Sequence, residues 1–415
     1  MSESGPVAAE VVSPARIRRA AWAVVAVFVA NGFMFANWAS RVPTARDAFD
    51  LSPSRLGLVL LAASVGALVG LPLSGLVVER LGARRALVTF AVVDTLGMSV
   101  IGAGIALPSV VVLVVGLVLA GLGSGVWDAS MNLEGGVVER VHGRSLMPRF
   151  HAGFSFGTMA GAGAGALASW AGIPFGLHLV IAAAVTLAAA LVSVRSFLPD
   201  AAGGRVDPPG SSSARAHGRR ALATWRESRT LLVGVLVFAA ALTECAANDW
   251  LSISIVDGFH AREAVGALGF ALFVTAMTGM RLGGTALLDR HGRIAVLRLV
   301  AALALGGLLI FGLAPNLQIA LVGVALWGAG AALGFPVGMS AASDDPARAP
   351  MRISVVATIG YAAFMAGPPL LGFLAAQVGY RHALLALAVP VALGLVVVRA
   401  AAPLEPTAAT TTLGE

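Results

Sequence analysis

GLVVERLGARRAL (75–87) and TALLDRHGRIAVL (285–297) decide the fold. Each stretch follows one long apolar run and precedes another, and the second begins 210 positions after the first. Further pairs keep nearly the same spacing. GLVLAGLGSG from Gly116 matches GVALWGAGAA from Gly323, and Gly153–Phe154 matches Gly360–Tyr361, both at an offset of 207. Loops and helix glycines that coincide at a nearly constant offset indicate an internal duplication, with parallel repeats related by an axis along a membrane normal.

Composition explains why a membrane is invoked. Of 415 residues, 58% are hydrophobic and 12% charged, with a mean hydropathy of +0.88. Soluble domains carry about 25% charged residues. Lipid offers the backbone no hydrogen-bond partners, so apolar runs of about 20 residues are read as helices. Two tyrosines and no alternating strand pattern argue against a barrel. Twelve spans are expected, near 20–40, 55–78, 86–107, 109–133, 147–170, 174–195, 230–252, 264–287, 293–313, 316–340, 353–376 and 380–401.

The basic residues are all arginine, and they concentrate before the first span and after every even-numbered one. The positive-inside rule then places both termini in the cytoplasm. The high isoelectric point is therefore topological and implies no nucleic-acid partner. The stretch 196–229 has linker composition, with Gly203–Gly204, Pro208–Pro209 and Ser211–Ser213. The expected organisation is a cytoplasmic tail (1–19), a six-helix bundle (20–195), a cytoplasmic linker (196–229), a second six-helix bundle (230–401) and a cytoplasmic tail (402–415). Cys245 is the one cysteine, so no disulfide forms within the chain. No His, Cys or acidic group has metal-ligand spacing, no cofactor is implied, and no nucleophile constellation points to an enzyme.

The 75–87 stretch resembles the loop signature of the major facilitator superfamily, Gly-x-x-x-Asp-Arg-x-Gly-Arg-Arg/Lys. Gly75, Arg80, Gly82, Arg84 and Arg85 match; Glu79 replaces the usual Asp, and Ala83 adds a spacer. The second copy keeps Asp289, Arg290, Gly292 and Arg293. The resemblance implies an all-α membrane fold of twelve transmembrane helices in two six-helix bundles. It also implies a cytoplasmic gating network, for which Glu79, Glu134, Glu139 and Arg140 are candidate members; plain topology is the other reading of each arginine. TECAANDWL (243–251), LGFPVGMSAASD (333–344) and RISVVATIGY (352–361) look like the YbjJ-type bacterial inner-membrane permeases, near the fucose-permease-like branch. That branch carries an acid in span four followed four residues later by Asn, which Asp128 and Asn132 match. Its acid in span one has no match: ANWASRVP (36–43) offers Asn37 and Arg41.

Candidate functional residues are the polar groups inside apolar runs. GLGSGVWDASMNLEGG (121–136) places Asp128 deep in span four, where a charge costs about 2.5–3.5 kcal/mol. Asn132 shares its helix face at i,i+4. Asp128 is read as a proton-coupling or substrate-binding carboxylate, with a structural hydrogen bond as the plainer role. Glu244 and Asn248 repeat the spacing in span seven, with Glu244 expected to face a central cavity from the second half as Asp128 does from the first. Asp249 is placed near the outer mouth, within reach of Arg41 or Arg262. Arg281 in span eight either pairs with an acid, binds an anionic substrate group, or snorkels to the cytoplasm. Asn37, Trp38, Trp127 and His151 complete the set: Trp38 anchors or stacks a substrate, Trp127 packs or lines a cavity, and His151 relays protons or ends a helix. Asp94 is read as a local hydrogen-bonding group. Gly153, Gly157, Gly161 and Gly165 form a stripe expected to slide against span eight, while Phe335–Pro336 makes the second half blank where the first has Asp128–Ala129.

These readings converge on a secondary active transporter working by alternating access. The partners expected are a small-molecule substrate, a proton as coupling ion and the lipid bilayer, with a monomer as the working unit. A drug or metabolite efflux pump working as a proton antiporter is the alternative. It is weakened by the lack of an arginine in span four and of a Gly-Pro pair in span five.

Overall fold

A computed structural model describes residues 13–142, 146–198, 223–345 and 348–404. These residues form helices and short connections, with no strand among them. The long helices are α1 (Pro14–Ala39), α2 (Pro53–Leu81), α3 (Ala83–Ala106), α4 (Val110–His142), α5 (Met147–Trp170) and α6 (Phe175–Ser193). They continue as α7 (Ser228–Gly258), α8 (263–291), α9 (293–313), α10 (Leu317–Ala342), α11 (Ala349–Val378) and α12 (Tyr380–Ala401). Eleven of them are long and apolar enough to cross a membrane. The other is α5, whose 24 residues span about 36 Å but dilute their apolar content with glycine, serine and histidine.

The helix ends follow from local chemistry. Pro14 opens α1 where a missing N–H is harmless, and the Ser13 hydroxyl accepts from Arg16 N at 3.4 Å. Residues 14–19 are thus helical. Between α2 and α3, Gly82 has φ 77 and ψ 156; between α8 and α9, Gly292 has φ 77 and ψ 163. Other residues adopt that backbone only under strain. The duplicated loop therefore repeats in backbone conformation as well as in sequence.

The chain divides into two compact units. One holds the residues up to Phe49 and those from Ala62 into the stretch 199–222, and the other holds Asp50–Leu61 together with the rest. Most of the linker, 199–222, lies outside the described residues. In the first unit α3 packs on α4, α1 on α5, and α6 on α1 and α3. Val24, Val27, Phe28, Trp127, Met131 and Phe150 build its core. The glycine stripe is central to it. A Cβ on Gly157 would lie 2.0 Å from Val29 O, and one on Gly161 would lie 2.3 Å from Phe33 O. The stripe therefore serves close contact with α1 inside the unit. Gly279 and Gly283 of α8 have nothing within 4 Å of a built Cβ.

In the second unit α9 packs on α10, and α7 packs on α11 and α12. Trp327 sits between Phe273 and Phe311, with ring centroids at 5.3 and 6.3 Å. The first turns of α2 join this unit, where the Ser54 hydroxyl donates to Gly372 O at 3.4 Å. Trp22, Trp170 and Trp225 are exposed, as interfacial anchors require.

Candidate functional site

In the first unit, Asp128 is half-buried on α4. Asn132 Nδ2 donates to Asp128 O at 2.8 Å and to Asp128 Oδ1 at 3.3 Å. The i,i+4 spacing thus produces the contact that it promised. Among the described residues Asp128 has no salt bridge and no other hydrogen-bond donor. Its carboxylate is held by one amide, in a helix whose remaining polar groups are few.

The acid of the second unit is held differently. Arg281 Nη2 of α8 reaches both oxygens of Glu244 on α7, at 3.1 and 3.0 Å, and each side chain is about a quarter exposed. Arg281 Nε donates to Ala332 O at 3.1 Å. That carbonyl is available for a reason written in the sequence. Pro336 has no N–H to give to the carbonyl four residues earlier, and α10 breaks between Ala331 and Gly334. The place read as chemically blank therefore supplies the acceptor that orients the arginine.

Directly after Glu244, α7 widens into a π-turn over Ala247–Leu251. Such turns mark functional positions in many helices. Among the described residues Asn248 makes no hydrogen bond, while Cys245 Sγ–H donates to Asp249 Oδ2 at 3.5 Å. Among the described residues of the second unit, Asp249 makes no ion pair with Arg262. Arg41 is buried, donates to Ile173 O at 3.5 Å and to Thr44 Oγ1 at 3.4 Å, and lies 5.1 Å over the Phe175 ring.

The remaining intramembrane candidates mostly pack. Trp38 is buried and stacks on Phe175 at 5.9 Å. Trp127 is fully buried, and its Nε1–H has no acceptor. Asn37 is fully buried too; its Nδ2 donates to Phe33 O at 2.7 Å while Oδ1 receives nothing. His151 is exposed and meets Phe28 edge-on at 5.2 Å. Asp94, buried on α3 against Gly123 of α4, forms no hydrogen bond among the described residues, contrary to its expected local role.

The loop residues divide sharply. Gly75, Glu79, Arg80, Arg84, Arg85, Arg140, Asp289 and Arg290 are exposed, and the charged ones among them carry no ion pair among the described residues. Glu134 accepts from Leu198 N at 3.1 Å, and Glu139 accepts from Leu146 N and Met147 N at 2.6 and 2.7 Å, where α5 begins. Arg293 is engaged: its Nη1 donates to both oxygens of Asp344, at 3.0 and 2.9 Å. Arg229 Nη2 adds a bond to Asp344 at 2.8 Å and one to Ala402 O at 2.9 Å. Partial burial pushes the Asp344 carboxyl up, but the hydrogen bonds from Arg293 and Arg229 outweigh it and hold it below the usual carboxylate range. Beside it, Arg352 clamps Glu227 with two nitrogens, and Thr230 Oγ1 donates to Glu227 at 2.6 Å. The Arg352 hydrogen bonds, against some burial, bring Glu227 down to about 2. Sequence reasoning missed Asp344, although it stands 210 positions after Glu134, the offset of the duplicated loops.

Comparison with known proteins places this geometry. The model of the Major Facilitator Superfamily matches residues 23–349 and 250–415. The transporter y4wD of Sinorhizobium fredii, itself uncharacterized, is 31% identical over 85% of this chain and 90% of its own length. The membrane protein MosC of Rhizobium meliloti is 28% identical over 90% of this chain and 88% of its own. Among solved structures, the nucleoside transporter NupG superposes with a TM-score of 0.71 at 13% identity, over 91% of this chain and 98% of its own. The fucose:proton symporter FucP of E. coli gives 0.63 at 16% identity, over 92% and 98%.

Proposed function

Because the chain belongs to the major facilitator superfamily, we propose that it is a proton-coupled secondary transporter moving a small polar molecule across a bacterial inner membrane by alternating access. The contrast between Asp128 and Glu244 supports this reading, with the Asn132 amide setting Asp128 apart from Asp94 and Asp249, which also lack a cation among the described residues. Glu244 is matched by a cation with two hydrogen bonds, so its charge is balanced throughout. Asp128 has an amide and no cation. An acid taken out of water without a counter-charge is suited to exchanging a proton during a cycle.

In this scheme Asp128 carries the proton, and Asn132 orients its carboxylate. Glu244 and Arg281 form a polar, net-neutral ligand contact on the second unit, with Ala332 O holding the guanidinium in place. A net-neutral contact favours an uncharged or zwitterionic substrate over a strongly charged one. The arginine distribution supports cytoplasmic termini.

A thermal-shift screen of purified protein against sugars, sugar acids, amino acids and nucleosides identifies a ligand. Its flux into proteoliposomes is then measured with and without an imposed pH gradient. Wild-type flux is expected to follow the gradient, and Asp128→Asn is expected to abolish that response while ligand binding persists. Flux indifferent to the gradient in the wild-type protein overturns proton coupling.

A further inference from the structure

The Glu244–Arg281 pair does not use up its own hydrogen-bonding capacity. Arg281 gives Nη2 to both carboxylate oxygens and Nε to Ala332 O. Its Nη1, with two N–H donors, makes no hydrogen bond among the described residues and remains open to solvent. Each Glu244 oxygen accepts one bond from Arg281, so each keeps a free lone pair. Both side chains are partly exposed. A charged pair within a membrane span meets water rather than hydrocarbon, so these free donors and acceptors face a space that a solute can enter.

The polar side chains near the pair along α7 and α8 are mostly spent. Thr243 Oγ1 donates to Ala240 O at 2.8 Å and Thr278 Oγ1 to Val274 O at 2.7 Å, and both residues are buried. Cys245 is engaged with Asp249. Asn248, on the next turn of α7, keeps a free amide among the described residues. On the other side, Leu333 follows the Ala332 that holds the guanidinium, and a Cβ on Gly284, one turn after Arg281, would lie 2.7 Å from Leu333 Cδ2. Polarity here is therefore concentrated in one positive and one negative end, with a single amide beside them. A polyol needs a partner for each hydroxyl, and unpaired ligand hydroxyls cost affinity. A lone anion is opposed by Glu244, and a lone cation by Arg281.

We propose that the ligand read by this pair is a zwitterion of the α-amino acid type. Its ammonium group donates to the free lone pairs of Glu244, and its carboxylate accepts from Arg281 Nη1. A single carbon separates the two ligand charges, so they lie head to tail against the side-chain pair. The proposal rests on the reading of Glu244 and Arg281 as a ligand contact, and it selects a zwitterion over an uncharged cargo. Isothermal titration calorimetry on purified full-length protein tests it, at neutral pH and with no pH gradient. The probes are the standard L-amino acids, then the amide and the deamino acid of any that bind, with xylose and inositol as polyols. At least one amino acid is expected to bind, and each of its single-charge analogues to bind about tenfold more weakly or less. The double variant Glu244→Gln/Arg281→Gln, which leaves no charge unmatched, is expected to lose that preference. Binding of no amino acid overturns the proposal, as does binding of a polyol in their place. Equal affinity for the amino acid and one of its single-charge analogues overturns it too, as does an unaltered preference in the double variant. Binding without a gradient moves no protons, so failure here leaves coupling through Asp128 standing. Flux indifferent to a pH gradient would in turn leave the zwitterion site standing.

Discussion

Asp128 and Glu244 are both acids on apolar helices, yet neighbouring residues give them different chemistry. Glu244 and Arg281 complete each other, so removing one leaves a charge unmatched. Glu244→Gln or Arg281→Gln alone is expected to lower thermal stability by somewhat less than the ~3–5 kcal/mol of a fully buried pair, because both side chains are partly open. The double variant should cost less than either single one. Thermal unfolding of the purified proteins measures this, and additive losses would show that the pair is not coupled. The pairing was legible in the sequence, since an arginine inside an apolar run needs a partner. The Ala332 contact was legible too, through Pro336, but only to a reading that asks which carbonyl a proline leaves free. The Cys245–Asp249 bond has the same i,i+4 spacing as Asp128 and Asn132, and it was missed because the thiol was not weighed as a donor.

At the scale of the element, the glycine stripe of α5 shows what periodicity can and cannot say. The spacing correctly announces a close helix contact, but it carries no information about the partner, and α1 proves to be that partner. Gly157→Leu is expected to abolish folded expression, since even a Cβ would lie 2.0 Å from Val29 O. Gly279→Ala should be tolerated in the same assay, because nothing lies within 4 Å of its added methyl group. The arginine–acid contacts where α7, α9, α10 and α11 begin or end make a pH prediction. Glu227 falls from 4.5 to about 2 on folding. A depressed carboxyl stabilises the fold fully above its unfolded value and loses that contribution as pH falls through its folded value. Between pH 6 and pH 3, the thermal midpoint of wild-type protein should therefore drop more than that of Glu227→Gln. Parallel curves would mean that the Arg352–Glu227 contact contributes nothing to stability.

For the whole molecule, the duplication was the most legible feature, because a loop that needs φ near 77° constrains both sequence and backbone at each copy. Function is less legible, since a shared fold fixes how helices are arranged but leaves the cargo to a few side chains. The account rests on Asp128, held by the Asn132 amide alone among the described residues, and on Glu244, matched by Arg281. The most direct test uses liposomes containing the purified protein and an internal pH dye, to which a ligand from the thermal-shift screen is added. Wild-type protein is predicted to move protons together with the ligand, and Asp128→Asn to bind the ligand without moving protons. Ligand flux with no proton movement, or unchanged proton movement in Asp128→Asn, would contradict the account.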